Sequence, residues 1–346
     1  MHYVTRRGRV PAVQDFTLSL QRGESLGIVG ESGSGKTSVA ISIIRLLPDN
    51  ARIGGGHIYL DGTDLLALPE SRMREIRWRR IAMIFQAAMN SWNPVYTVGD
   101  QIVEVIQTHE PRVSRQQARE RIARLFHMVG LPPERMDRYP HEYSGGMKQR
   151  AVIAAALACD PELVIADEPT TALDVIVQER ILQELDTIRR RLGMSMIYIS
   201  HDVAVIAEVS DRVAVMYAGR LVEVGRAATV FKRPLHPYTG GLMASFPSLV
   251  GPKRELVTIP GEPPNLMALP EGCAFAPRCP YATPRCLQQT PPLEAAGDGH
   301  FVACWHPLQG QDVRADFEAR LRMAAEAGPV APRQPTGQAD REGGAA

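Results

Sequence analysis

A glycine-rich segment at residues 30–37, with the sequence Gly-Glu-Ser-Gly-Ser-Gly-Lys-Thr, constrains the fold of this chain more than any other feature. An apolar run at residues 26–29 precedes it, and a helix-like stretch at residues 38–47 follows it and ends before Pro48. Glycines at this spacing let successive backbone N–H groups surround phosphate oxygens at the N-terminus of a helix. The sequence therefore predicts a strand, a phosphate-binding loop and a helix in succession.

This loop and the residue after it supply most of the predicted nucleotide contacts. We expect the Lys36 ammonium to reach the β- and γ-phosphates and the Thr37 hydroxyl to bind Mg²⁺. The predicted ATP contacts in this segment are Gly30, Glu31, Ser32, Gly33, Ser34, Gly35, Lys36, Thr37 and Ser38. A flexible Gly/Ser turn is the alternative, and the flanking strand and helix patterns argue against it.

An acidic motif follows another apolar run. Residues 163–166 are Leu-Val-Ile-Ala, and Asp167 and Glu168 come directly after them. We expect Asp167 to bind Mg²⁺ and Glu168 to act as the general base for an attacking water molecule. Such a pair alone is more often a simple strand end, but together with the phosphate-binding loop it indicates a nucleotide hydrolysis site.

The composition of this 346-residue chain argues against several classes of protein. The 39 Lys and Arg residues nearly balance the 38 Asp and Glu residues, and a net charge of +1 argues against binding nucleic acid or a membrane through bulk charge. The longest apolar run, residues 151–158, is much shorter than the roughly 20 residues of a membrane span. The N-terminal residues lack a signal-peptide core, so we expect a cytoplasmic protein with reduced thiols.

Strand-like and helix-like runs alternate up to about residue 245, which predicts a mainly parallel, helix-flanked α/β sheet. The strand-like runs are residues 25–29, 81–85, 163–166, 196–200 and 213–217. Fifteen of the 27 prolines and four of the five cysteines follow Phe246, so the composition changes there. The predicted units are a nucleotide-binding domain at 1–245 with a helical subdomain at about 87–150, a small Cys/Pro-rich domain at 246–310, and a largely disordered tail at 311–346.

Four further motifs follow the phosphate-binding loop along the chain, two before the Asp167–Glu168 pair and two after it. They are Gln86 after Phe85, a Ser-Gly-Gly segment before a helix-like stretch, a Thr-Ala-Leu-Asp segment at residues 171–174, and His201 within Ser-His-Asp. With the phosphate-binding loop and the Asp-Glu pair, this set resembles the nucleotide-binding subunits of ABC transporters over about residues 10–220. The resemblance implies a P-loop NTPase fold of the ABC type and an ATPase that uses Mg²⁺.

The resemblance also implies roles for these residues. Gln86 is expected to contact Mg²⁺ or the attacking water, and His201 to contact the γ-phosphate, so both join Glu168 as catalytic candidates. The further predicted ATP contacts are Gln86, Ser144, Gly145, Gly146 and Asp174. The family also stacks an aromatic ring on adenine, and Tyr3 is the only ring near the expected place.

The Ser-Gly-Gly segment offers a second anion site at a helix N-terminus, which one nucleotide rarely needs from the same subunit. In the resembled family, this segment closes on ATP that a second ABC ATPase subunit holds, and Asp174 reaches across the interface. The implied assembly is a head-to-tail homodimer or heterodimer with two ATP molecules between its subunits.

Other segments resemble the ATPase subunits of oligopeptide and dipeptide importers more narrowly. They are residues 89–95, 233–239 and 259–264, together with the four C-terminal cysteines. The resemblance implies a peripheral ATPase at the cytoplasmic face of the membrane that powers import of peptides, or of nickel or oligosaccharides as in close relatives. The implied partners are two membrane permease subunits and, indirectly, an extracellular solute-binding protein.

The four cysteines after Phe246 are Cys273, Cys279, Cys286 and Cys304. Their spacing differs from the C-x2-C pairs of ordinary zinc ribbons, and four thiolates can hold an iron-sulfur cluster. Members of the resembled subfamily carry a 4Fe-4S cluster at these cysteines, so the resemblance implies one here. Zinc, or four reduced thiols without a metal, is the alternative. We interpret the fifth, Cys159, as a small buried hydrophobic residue.

Two other functions compete with transport. The first is a soluble ABC-type ATPase acting on nucleic acid or ribosomes, a class that generally carries two cassettes or a long coiled-coil insert. This sequence has one phosphate-binding loop, and its arginines between residues 72 and 80 are best interpreted as a solvated helix face, so no nucleic-acid partner is predicted. The second is a redox-sensing module, which the intact Asp167, Glu168 and His201 argue against.

Overall fold

An eight-stranded sheet with helices packed on both faces forms the centre of the protein. The structure is a computed structural model that describes residues 1–86, 88–170, 174–245, 259–309, 316–317 and 319–320. The motif residues 171–173, the predicted domain boundary near residue 246 and most of the predicted tail lie outside these residues. Within them, no helix is both long enough and apolar enough to cross a membrane.

The described residues contain thirteen strands and ten α-helices. The strands are β1 (His2–Thr5), β2 (Gly8–Pro11), β3 (Ser25–Val29), β4 (Ala51–Arg52), β5 (Tyr59–Leu60), β6 (Thr63–Asp64), β7 (Ile81–Ile84), β8 (Leu163–Asp167), β9 (Ser195–Ile199), β10 (Arg212–Tyr217), β11 (Arg220–Arg226), β12 (Glu294–Gly297) and β13 (His300–Val302). The α-helices are α1 (Lys36–Ile43), α2 (Glu70–Ile76), α3 (Val98–His109), α4 (Arg115–Met128), α5 (Gly145–Ala156), α6 (Val175–Leu192), α7 (Val203–Val209), α8 (Ala227–Lys232), α9 (Pro237–Ala244) and α10 (Pro284–Gln288).

The middle of the large sheet is parallel. Strands β10, β3, β9, β8 and β7 lie side by side in that order, and each runs parallel to its neighbours. Parallel neighbours need long crossover connections, which the helical segments between these strands supply. Because the strands point the same way, their carboxyl ends meet along one edge of the sheet.

Alternate residues of each central strand pack against different helices. In β8, Val164 and Ala166 join a buried cluster that includes residues of α3 to α6. Leu163 and Ile165 join a second cluster that includes residues of α1 and α2. Successive side chains of a strand point to opposite faces, and both faces here are covered, so β8 is apolar from Leu163 to Ala166.

Helices α3, α4 and α5 make up the segment between β7 and β8 that the sequence predicts to be helical. The Thr97 side chain caps α3, and Ser114 and Gln117 form a capping box at the start of α4. Ile122 and Phe126 of α4 are buried, as their helical spacing predicts. Local capping and burial of one apolar face therefore define this segment.

The C-terminal part of the chain extends the same sheet, although the sequence pattern predicts neither of the strands involved. β13 pairs antiparallel with β11, and β12 pairs antiparallel with β13. Glu223 of β11 is fully buried and accepts hydrogen bonds from the backbone N–H groups of Leu235 and His236. The Nε2 atom of His300 in β13 lies 2.7 Å from the same carboxylate. This hydrogen-bond network joins the C-terminal hairpin to the cassette.

His300→Ala is expected to lower the free energy of unfolding by about 2 kcal/mol or more, because a buried carboxylate loses a partner and a cavity forms. Urea unfolding followed by circular dichroism measures this loss. The matched control is His57→Ala, at a pair with Asp64 in which the histidine side chain is 64% exposed. There the expected loss is much smaller, because an exposed ion pair contributes little to stability. Equal losses in the two variants would show that the contact between His300 and Glu223 does not stabilise the fold.

Candidate active site

The phosphate-binding loop connects the end of β3 to the start of α1. Gly30 and Gly35 have φ angles of 152° and 102°, which side chains rarely allow. A Cβ atom on Gly30 would lie 2.2 Å from the carbonyl oxygen of Met216, and one on Gly35 would lie 2.2 Å from that of Ala12. Both positions therefore require glycine, because the loop packs directly against neighbouring backbone.

Lys36 is the first residue of α1 and is buried within the loop. Its Nζ atom donates hydrogen bonds to the carbonyl oxygens of Gly30 at 2.7 Å and Glu31 at 2.9 Å. Burial lowers the pKa of Lys36, and the carboxylates of Glu168, Asp167 and Glu31 oppose this shift. The structure therefore places a cation where the loop would hold phosphates.

Asp167 ends β8 and is 1% exposed. Its side chain forms a hydrogen bond with Thr37, and among the described residues its Oδ1 atom has no hydrogen-bond partner. Burial raises the pKa of Asp167, and the hydrogen bond with Thr37 opposes this shift. A buried polar atom is costly unless something satisfies it. The oxygens of Asp167 and Thr37 therefore fit a hard divalent cation such as Mg²⁺.

Glu168 is contacted from two sides by residues that follow neighbouring strands. Gln86 Nε2 donates a hydrogen bond to Glu168 Oε2 at 2.7 Å, and His201 Nδ1 lies 3.0 Å from Glu168 Oε1. Gln86 follows β7, Glu168 follows β8 and His201 follows β9, so the parallel order of these strands brings the three together. A carboxylate fixed in this way can accept a proton from a water molecule.

The backbone turns sharply at Glu168. Its φ angle is 46°, in the left-handed region that non-glycine residues seldom adopt. Its N–H group donates a hydrogen bond to the carbonyl oxygen of Ile199 at 2.9 Å, which ties the turn to the end of β9. Strained backbone of this kind persists where the surrounding structure enforces it, often at functional sites.

The Ser-Gly-Gly segment lies at the start of α5. The Ser144 side chain caps the helix and accepts a hydrogen bond from the N–H of Met147. Asp174 caps α6 in the same way and accepts from the N–H of Val177 at 3.0 Å. Within the described residues, no hydrogen bond joins Ser144, Gly145 or Gly146 to the phosphate-binding loop. The structure thus brings Gln86, Glu168 and His201 together, whereas the contact that it shows for the Ser-Gly-Gly segment is the helix cap of Ser144.

Comparisons with known proteins match almost the whole chain. The family model described as ABC transporter matches residues 13–171, and the one described as oligopeptide/dipeptide transporter, C-terminal region, matches residues 222–286. The oligopeptide transport ATP-binding protein OppD of Salmonella typhimurium is 47% identical over 309 residues, which cover 89% of this chain and 91% of that protein. This chain belongs to the oligopeptide/dipeptide ABC transporter ATPases. The dipeptide transport ATP-binding protein DppD of Bacillus subtilis is 45% identical and covers 91% of this chain and 93% of its own length.

Solved structures of ABC cassettes share the fold of this ABC ATPase. The cassette MJ0796, solved as a dimer in a post-hydrolysis state with ADP and Pi, matches with a TM-score of 0.58 and 27% identity over 65% of this chain and 95% of that one. The cbiO1 protein of Clostridium perfringens, part of the cbiONQ transporter complex, matches with a TM-score of 0.57 and 25% identity over 66% and 87%. The predicted α/β P-loop NTPase fold of the ABC type is therefore confirmed.

Three side-chain contacts of this ABC ATPase add residues to the loop region. The Arg278 guanidinium donates two hydrogen bonds to the Glu31 carboxylate, and the Tyr238 hydroxyl accepts one from the Glu31 N–H. The Tyr3 hydroxyl lies 3.1 Å from Ser38 Oγ, which places this ring beside α1. The sequence pattern points to neither Arg278 nor Tyr238, because both lie more than 200 positions beyond Glu31.

The four C-terminal cysteines of the ABC ATPase line one small pocket. Burial raises the pKa of Cys279 to about 12 and that of Cys304 to about 11. No group of three or more His, Cys, Asp or Glu side chains in the described part of the chain is arranged to hold a metal ion. Cys159 is buried and does not line this pocket, in agreement with its interpretation as a hydrophobic residue.

Proposed function

We propose that this ABC ATPase powers the import of peptides through a membrane transporter. The meeting of Gln86, Glu168 and His201 at one edge of the sheet is the observation that carries the hydrolytic part of this proposal. Support for peptides comes from relatives named for oligopeptide and dipeptide transport, and from the matched C-terminal region. A role on nucleic acid or ribosomes has no comparable support, because these relatives are transport proteins.

Hydrolysis in this proposal uses Glu168 as the general base. Its carboxylate accepts a proton from the water molecule that attacks the γ-phosphorus, the bond from that phosphorus to the oxygen bridging to the β-phosphate breaks, and ADP leaves. Gln86 and His201 keep the Glu168 carboxylate oxygens in place. The His201 side chain is 69% exposed and can turn toward the γ-phosphate. Lys36 and the backbone N–H groups of residues 30–38 bind the phosphates.

The residues proposed to hold Mg²⁺ are Thr37, Gln86 and Asp167. Asp167 and Thr37 offer adjacent oxygens, and Gln86 offers an amide oxygen from the next strand end. The buried Asp167 Oδ1, which is unpaired among the described residues, supports this assignment. When bound, Mg²⁺ neutralises charge on the β- and γ-phosphate oxygens.

The proposed active assembly is a head-to-tail pair of cassettes with two ATP molecules between them. Ser144, Gly145 and Gly146 form the N-terminus of α5, whose partial positive charge favours an anion, and we assign them to ATP held by the partner. Asp174 is exposed at the start of α6 and is assigned to the same interface. The partner is a second copy of this chain or a related cassette.

Two membrane permease subunits and an extracellular solute-binding protein complete the proposed transporter. Support comes from the transport names of the relatives and from the matched transporter region at residues 222–286. The ATPase is assigned to the cytoplasmic face of the membrane as a peripheral subunit. The choice of solute then lies with the other subunits.

We also propose a 4Fe-4S cluster at Cys273, Cys279, Cys286 and Cys304. The pocket that all four line supports it, as does the four-cysteine ligation that such clusters use. When bound, the cluster cross-links the segments that carry the four thiolates. Zinc and four reduced thiols are the alternatives.

Glu168→Gln is expected to lower ATP turnover about 10²-fold or more, because an amide cannot accept the proton, while ATP binding persists. Turnover is measured at saturating Mg-ATP, and gel filtration with ATP should show dimers that accumulate. The control is Glu162→Gln, whose carboxylate pairs with Arg80, and it should keep normal turnover. Normal turnover in Glu168→Gln would exclude Glu168 as the base.

Proteoliposomes that contain both cassettes, the two permeases and the binding protein are expected to accumulate labelled peptides only when ATP is supplied. Peptides should stimulate ATP hydrolysis in this system, and nickel or an oligosaccharide should not. Uptake and phosphate release are measured on the same vesicles. Stimulation by RNA in the absence of permeases would contradict the transport proposal.

Protein purified under anaerobic conditions is expected to contain about four iron and four sulfide ions per chain and to be coloured. Cys279→Ser should lose this iron, since it removes one of the four ligands. The matched control, Cys159→Ser, should retain it because Cys159 does not line the pocket. Colourless protein, whether it contains zinc or no metal, would contradict the cluster.

A further inference from the structure

Glu31, the second residue of the phosphate-binding loop, is held by residues from the C-terminal part of the chain. Arg278 donates from Nη1 to Glu31 Oε2 at 2.7 Å and from Nη2 to Glu31 Oε1 at 2.9 Å. The Tyr238 hydroxyl accepts a hydrogen bond from the Glu31 backbone N–H at 2.7 Å. Both the side chain and the backbone of Glu31 are therefore fixed from outside the loop.

Arg278 is itself fixed in a buried, aromatic environment. Its side chain is 7% exposed and also donates to the carbonyl oxygen of Pro260 at 2.8 Å and to the Tyr217 hydroxyl at 3.2 Å. Phe275 packs against the rings of Tyr217 and Tyr238, with centroid distances of 5.2 and 5.4 Å. A bidentate pair in such surroundings is geometrically specific, and removal of one partner leaves an uncompensated charge.

The charge of Glu31 makes this contact relevant to nucleotide binding. The Lys36 ammonium lies 2.9 Å from the Glu31 carbonyl oxygen, so Glu31 is a direct neighbour of the cation that would bind phosphates. An uncompensated carboxylate at this position would repel a triphosphate. Arg278 cancels that negative charge, which preserves the attraction of Lys36 for phosphate.

We propose that Arg278 is a positioning residue for ATP binding, which neutralises Glu31 and keeps the phosphate-binding loop in the shape that accepts the triphosphate. The segment between Cys273 and Cys279 then supports the nucleotide site in addition to lining the cysteine pocket. This inference rests on the proposed binding of ATP at this loop.

The test is a double-mutant cycle at Arg278 and Glu31 in the full chain, with Mg-ATP affinity measured by isothermal titration calorimetry. Arg278→Gln is expected to weaken ATP binding about tenfold, because the Glu31 carboxylate then faces the phosphates uncompensated. Addition of Glu31→Gln to that variant should restore most of the lost affinity, since the repelling charge is gone. Arg278→Lys keeps the charge but loses the bidentate geometry, so its ATP affinity should lie between those of Arg278→Gln and the wild type.

Steady-state kinetics separates positioning from catalysis. In Arg278→Gln the KM for ATP should rise about tenfold while kcat at saturating ATP stays within about twofold, because Arg278 contacts no reacting atom. The matched control is Arg119→Gln, which breaks an exposed ion pair of 2.7 Å with Asp137 in the helical segment. It should leave both ATP affinity and KM unchanged.

Equal ATP affinity in the wild type and in Arg278→Gln overturns the inference, and so does a double variant that binds no better than Arg278→Gln. A wild-type protein that binds no ATP overturns the proposed function instead. Circular dichroism shows whether each variant folds. If Arg278→Gln does not fold, the inference requires that Arg278→Lys bind ATP more weakly than the wild type and that the double variant bind it within about threefold of the wild type.

Discussion

The parallel pairing of four neighbouring strands determines the geometry of the whole hydrolysis site. Strands β3, β9, β8 and β7 run in one direction, so their carboxyl ends lie at one edge of the sheet. The residues at these ends are, in the same order, the phosphate-binding loop, His201, the Asp167–Glu168 pair and Gln86. Apolar residues cover both faces of these strands. A shift of one residue in register would turn each buried side chain to the opposite face, so the packing of the core also fixes the chemistry at the edge.

The parts of the site that the sequence predicts are encoded locally. The phosphate-binding loop is one continuous segment, and the φ angles at Gly30 and Gly35 explain its glycines at these positions. The predicted strands at residues 81–85, 163–166 and 196–200 agree with β7, β8 and β9 within one residue. Strands buried on both faces read as continuous apolar runs, so a short window of sequence is enough to find them.

The parts that the sequence does not predict depend on contacts between distant segments. The Glu31–Arg278 pair joins residues 247 positions apart, and no local pattern marks either one as a partner. Strand β12 has the sequence Glu-Ala-Ala-Gly, which contains no β-branched residue, and β13 has only three residues, which is too short to stand out as a strand in the sequence. The spacing of the four cysteines likewise does not reveal that one pocket gathers them.

The hairpin of β12 and β13 also closes one side of the sheet. β13 pairs with β11, which would otherwise present unsatisfied backbone N–H and C=O groups along its outer side. An open edge of this kind templates pairing with other chains and promotes aggregation. The short, charged and glycine-containing β12 is a poorer template than β11, with its buried Leu221 and Val224. A cassette shortened before residue 294 would therefore expose the outer side of β11, and the C-terminal hairpin protects the subunit against edge-to-edge strand pairing with other chains.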